Sequence, residues 1–295
     1  MTKAARRVTT ALAVLLLQGC AAFGGHGDGP SRRDAWIRLD PPRVVDQHAF
    51  AGNACGPAAM ATSLLAEGGA ARGAVEGRTD SELITRSVRT YGTRPSSAYE
   101  GSQRFAPASG VCAEDLDLWF DDWRADVGLP PHDAAYLDRA PDEGDAAFCA
   151  RVHAILVRSL ELGAPPVVRL RSFATHWYPA RSAYLWDGVA AHWVTIVGVP
   201  SELTEGALGF AFDYADPATG TVERGFASVE TQRSFAAARG NERTWEWREG
   251  SPFLLVTAPA LAVLGRRAEA FYLREVVTLD HAVVARGALP SGPEE

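Results

Sequence analysis

Lysine is almost missing from this chain: Lys3 is the only one in 295 residues. The other basic residues are Arg, which reads as a bias of composition and not of function. Cysteine is scarce too, with only Cys20, Cys55, Cys112 and Cys149. None are spaced Cys-x-x-Cys, which excludes a zinc ribbon and a dense disulfide scaffold. There is no HExxH and the histidines are scattered, so neither a metal nor any other cofactor is expected. No Gly-rich loop opens a helix to cradle phosphate. Positive charge is in deficit: 29 Lys+Arg stand against 36 Asp+Glu, a net charge of -7. A nucleic-acid binder should show a basic face, so no nucleic-acid partner is expected. What remains is ordinary globular usage, 47% hydrophobic and 22% charged, on a chain long enough for a sizeable core.

The N-terminus reads as an address. Lys3, Arg6 and Arg7 precede a short apolar run, Ala11 to Leu17. The run falls short of the roughly 20 apolar residues that span a bilayer, and its layout fits a secretory signal. It ends in Leu17-Gln18-Gly19-Cys20, which resembles the bacterial lipobox. That resemblance implies a signal peptide over 1–19, cleavage before Cys20 and lipid on Cys20. Residues 20–33 then form a flexible Gly-rich tether that includes a solvent-exposed His26. With Ala21 after the lipidated position, the implied location is the cell envelope, anchored in the outer membrane and facing the periplasm. The alternative is an ordinary signal peptide with an incidental cysteine.

Residues 34–290 read as one domain, followed by a disordered tail, 291–295. Asp34 to Leu39 alternates like a strand. Cys55-Gly56-Pro57 opens a helix that Gly68-Gly69 closes, apolar or small almost all round and therefore buried. Thr79-Asp80-Ser81-Glu82 caps a second helix. Residues 112–125 and 145–162 carry apolar positions at helical spacing. After Pro165-Pro166 the pattern turns to strands, with segments near 167–170, 192–199, 208–214, 221–223, 253–257 and 271–284. A short helix is expected near 227–238. Helices first and strands later predict an α+β fold.

Three residues carry a candidate chemistry. Cys55 lies at the start of a buried helix, where the dipole and free N–H groups favour thiolate. A buried or disulfide-bonded cysteine is the plain alternative. His192 begins the apolar strand HWVTIVGV, a rigid support suited to a base. Asp216 ends the next strand and could hold the imidazole tautomer from the far side. It also opens the turn Asp216-Pro217-Ala218-Thr219-Gly220, and both roles are compatible.

Gln, then Cys-Gly-Pro opening a helix, then His-Trp-Val-x-Ile-Val-Gly-Val, then Asp-Pro-x-x-Gly resembles the papain-like cysteine peptidases. The nearest branch is that of the bacteriocin-processing double-glycine peptidases, family thirty-nine. The likeness runs from about Val44 to Gly220. It implies a papain-like fold, with N-terminal helices and a C-terminal antiparallel sheet. It implies Cys55 as nucleophile, His192 as general base, Asp216 as its orienter and Gln47 as oxyanion donor. Gln47 stands eight residues before Cys55, a longer interval than papain's six, so the intervening loop must bulge. Asn53 is a fallback donor and Asp213 an alternative orienter.

The expected function is a lipid-anchored thiol hydrolase that cleaves peptide or isopeptide bonds in a peptide or protein substrate, with the membrane engaged through Cys20. Two alternatives are a non-catalytic papain-like module that binds peptides, and a structural envelope lipoprotein with Cys55 in a disulfide. Export also favours a Cys112–Cys149 disulfide. His176 reads as a loop residue and His153 as a core or surface one. The aromatics Trp177, Tyr178, Tyr184, Trp186 and Trp193 bracket the supposed site in sequence, either as a substrate surface or as plain packing.

Overall fold

The computed structural model describes residues 36–41, 43–181, 183–230, 235–239, 252–258, 261 and 274–290. All of these lie within the unit Asp34–Glu295. The signal segment, Cys20, His26, the tether and the 291–295 tail lie outside the described residues.

The architecture is α+β. A short strand β1 (Trp36–Arg38) leads into helices α1 (Cys55–Glu67), α2 (Gly69–Val75), α3 (Asp80–Ser87) and α4 (Ala113–Asp126). Strand β2 (His132–Tyr136) and helix α5 (Asp145–Glu161) follow. The remainder is sheet: β3 (Val167–Tyr178), β4 (Ala183–Pro200), β5 (Gly209–Asp216), β6 (Thr221–Ser228), β7 (Phe235–Arg239), β8 (Leu254–Thr257) and β9 (Arg274–Ala285).

Strands β4, β3, β9, β8, β6 and β5 pair antiparallel in that order, and β5 returns to pair with β4, closing a ring. Strands β1 and β2 add antiparallel to β4 and β9, while β7 pairs parallel to β4. Alternating residues send side chains to opposite faces, and the core divides accordingly. Val168, Val194, Ile196, Phe212, Tyr214 and Val284 belong to one cluster with α5. Their sequence neighbours Val167, Trp193 and Val283 belong to another with α1 and α4.

Helix α1 is buried continuously from Gly56 to Ala66, as its small and apolar composition predicts. The Thr79–Glu82 capping box forms at the start of α3. Several expectations need correction. Among the described residues of 227–238 no helix forms; Ser228 closes β6 and residues 235–239 form β7. Gly68 does end α1 at positive φ, but Gly69 opens α2 instead of extending the break. Strands β3 and β4 run far past the apolar segments predicted for them, and β2 went unpredicted. Among the described residues, no helix is long and apolar enough to cross a membrane.

Candidate active site

Cys55 is the first residue of α1, half-buried, with its N–H in the turn whose donors have no intrahelical partner. The helix is pinned against β4. Thr195 donates its hydroxyl to the Ala59 carbonyl at 2.8 Å, and Ser63 donates to the carbonyl of Pro165 at 2.7 Å. Gly56 permits the close approach: a Cβ there would stand 2.6 Å from Val111 Cγ1 and 2.7 Å from Leu116 Cδ1. Trp193 fills the space beyond, its indole N–H donating to the Val111 carbonyl at 3.3 Å.

His192 lies beside Trp193 on β4, 3% exposed. Its Nε2 meets Asp216 Oδ1 at 2.7 Å, and the Cys55 thiol is near enough to interact electrostatically with the imidazole. With Nε2 engaged by the carboxylate, Nδ1 is the nitrogen left for sulfur. Burial alone would pull the imidazole pKa down, but Asp216 and Cys55 outweigh it and push His192 up to about 9. Burial likewise works against a Cys55 thiolate. The His192 hydrogen bond and charge, with the backbone N–H groups of Trp193 and Gly56, reverse it and hold the thiol below its ordinary value. The pair therefore favours thiolate and imidazolium.

Asp216 is fully buried at the end of β5. Its Oδ1 also accepts from the Ala218 N–H at 2.8 Å, and its main-chain carbonyl accepts from Gly220 at 2.9 Å. The turn and the orienting contact are thus made by the same residue. Asp213 is committed elsewhere, to Arg224 at 2.7 Å and Arg38 at 2.8 Å.

Gln47 begins a short 3-10 turn, Gln47–Ala49, capped by the Asp46 carboxylate. Its backbone N–H donates to the Pro217 carbonyl at 3.0 Å, tying this segment to the Asp216 turn. Its Oε1 is buried with no protein partner. Asn53 is occupied: its side-chain amide donates to the Ala108 carbonyl and its backbone N–H to Pro107. The QHAFAGNAC loop turns at Gly52, φ 124, where a Cβ would stand 2.9 Å from the Pro107 carbonyl oxygen.

Among the described residues, Cys55, Cys112 and Cys149 are all free thiols, so the Cys112–Cys149 pairing expected of an exported chain is not formed, and no described cysteine is bonded to Cys55. The reason is placement. Cys149 is fully buried in the α5 cluster, on one side of the sheet. Cys112 caps α4 on the other side, and its thiol donates to Asp115 Oδ2 at 3.2 Å. Burial raises both thiols, Cys149 to about 11 and Cys112 to about 12. Among the described cysteines, Cys55 alone is shifted toward thiolate.

His176 lies within β3 and not in a loop. His153 is a core histidine whose Nε2 meets the Pro200 carbonyl at 2.7 Å. Of the aromatic set, Trp193 packs beside Cys55, but Trp177, Tyr184 and Trp186 do not gather there. Trp186 packs with Phe173 and Phe253 in a small separate cluster, and Trp177 is exposed against Tyr184. Among the described residues, no group of three or more His, Cys, Asp or Glu could hold a metal.

Sequence reasoning missed Tyr214, a fully buried tyrosine two residues before Asp216 on β5. The alternation of β5 carried the signal, since residues 214 and 216 share a face.

Comparison with known proteins finds no matching family model, curated protein or solved structure.

Proposed function

We propose that the protein is a thiol hydrolase of papain-like fold that cleaves peptide or isopeptide bonds. One observation carries the reading: a buried histidine bonded to a buried carboxylate at 2.7 Å lies beside a helix-start cysteine and couples to it electrostatically. A cysteine kept only for packing has no need of that partner, whereas a nucleophile does.

The Cys55 sulfur adds to the scissile carbonyl carbon, forming a C–S bond while the carbonyl π pair moves to oxygen. The Cys55 N–H at the start of α1 stabilises that oxyanion, aided by the Gln47 amide in the role its family resemblance implies. Collapse breaks the C–N bond, and His192 gives its Nδ1 proton to the departing amine. Water then attacks the thioester as His192 takes its proton, releasing the acid and regenerating thiolate. Asp216 keeps the imidazole in the orientation both steps use.

The lipobox-like segment supports an envelope-anchored setting. Cys20→Ala should move the protein from the membrane fraction to the soluble one; unchanged membrane association would refute anchoring at Cys20. For the chemistry, a thiol-directed epoxide should modify Cys55 of the folded protein in reducing buffer. His192→Ala should slow that labelling by about 10³-fold or more. A folded protein whose Cys55 resists the probe would instead be a papain-like binding module.

A further inference from the structure

The orienting carboxylate is only half accounted for. Asp216 Oδ1 serves both His192 and the Ala218 N–H, yet Oδ2 is buried with no protein partner. The Tyr214 hydroxyl is likewise buried and unpartnered. The two residues lie two apart on β5 and so face the same way. The β4–β5 register confirms that face: Ile196 pairs with Tyr214, and both lie in the cluster inside the α5 side of the sheet. Buried polar atoms are nearly always hydrogen-bonded, to protein or to ordered water. Two such atoms on one face, a donor and an acceptor, are the polar partners that a bridging water needs.

We propose that Tyr214 is a positioning residue whose hydroxyl donates, through one ordered water, to Asp216 Oδ2. This rests on the thiol-hydrolase reading. The bond fixes the carboxylate in the rotamer that aims Oδ1 at His192. It also spreads the carboxylate charge over a second donor, so the imidazolium is held firmly but can still release its proton to a leaving amine. The groups facing the pair are Cys55 from α1, Asp216 and Tyr214 from β5, and Glu223 from β6, which pairs with Tyr214. Burial raises the Tyr214 phenol, and the Asp216 and Glu223 charges raise it further, so it stays protonated as a donor must.

Tyr214→Phe removes the hydroxyl and keeps the ring. The test is the pH profile of Cys55 modification by two reagents in wild type and Tyr214→Phe. Epoxide opening needs a proton for the new alkoxide, so its alkaline limb reads loss of the His192 proton. Iodoacetamide needs none and reads thiolate alone. With the donor gone, the carboxylate charge concentrates on His192. The epoxide limb should then move alkaline by about 0.5 to 1 pH unit, while the neutral iodoacetamide rate stays within about 2-fold. Superimposed limbs, or an acid shift, overturn the role of Tyr214 while leaving the hydrolase reading intact. Wild-type Cys55 inert to both reagents overturns the hydrolase reading and this inference with it. If Tyr214→Phe does not fold, a high-resolution crystal structure of the wild type decides. A water within about 3.2 Å of both Tyr214 Oη and Asp216 Oδ2 supports the proposal, and a phenol bonded elsewhere refutes it.

Discussion

Two carboxylates on β5, three residues apart, have been given different tasks. Asp216 is sealed from solvent and meets His192; Asp213 faces Arg38 and Arg224 near the surface. Their variants should separate accordingly. Asp216→Asn should slow epoxide labelling of Cys55 by about 10²-fold or more, because the imidazole loses its anionic partner. Asp213→Asn should change it by less than about 2-fold, since ion pairs at exposed arginines contribute little. Equal effects from both would show that the orienter is misassigned. Cys55, His192 and Asp216 were legible because the sequence marks each: a Pro-bearing helix start, the first residue of the apolar run inside β4, an Asp-Pro turn. Tyr214 was not, because a tyrosine in a strand reads first as packing. The free state of Cys112 and Cys149 was also hidden, since it depends on which side of the sheet each helix takes.

At the scale of elements, the site depends on how closely α1 meets α4 and β4. The space at Gly56 belongs to Val111, Leu116 and Trp193. Gly56→Ala should therefore cost about 1–3 kcal/mol by overpacking, and should slow Cys55 labelling beyond what the lost stability explains. Chemical denaturation and labelling of the same sample check this; an unchanged midpoint would show that α4 yields freely. Helix α1 and the α3 cap were readable from local composition and capping chemistry. The extents of β3 and β4 were not, because their distal halves mix polar and aromatic residues and gain their order from pairing with each other and with β9 and β7. The helix expected near 227–238 failed for the same reason: ladder partners decide, and they lie far away in sequence.

Across the whole molecule, the α+β class followed from helices preceding strands. Closure of the sheet into a ring did not, since the β4–β5 pairing that completes it is one register among many. The His192 pair links the site to global stability. Its pKa is raised from 6.5 to about 9 by folding, so its stabilising contribution is complete below 6.5 and is lost as pH climbs through about 9. The melting-temperature gap between wild type and His192→Ala should shrink over that interval; a gap that widens would reverse the sign of the coupling. Reductant should leave the melting temperature of the wild type unchanged, because Cys55, Cys112 and Cys149 are free. A fall on adding reductant would reveal a disulfide among them.

The central claim is that His192 shifts Cys55 toward thiolate, and the rate of its modification by iodoacetamide measures this directly. With the thiol held below its ordinary value, the rate should rise by clearly less than tenfold per pH unit between about pH 6 and pH 8 and should level off at lower pH than an ordinary thiol does. A rate that rises about tenfold with each pH unit over that range is the behaviour of an ordinary thiol, and it would contradict the account.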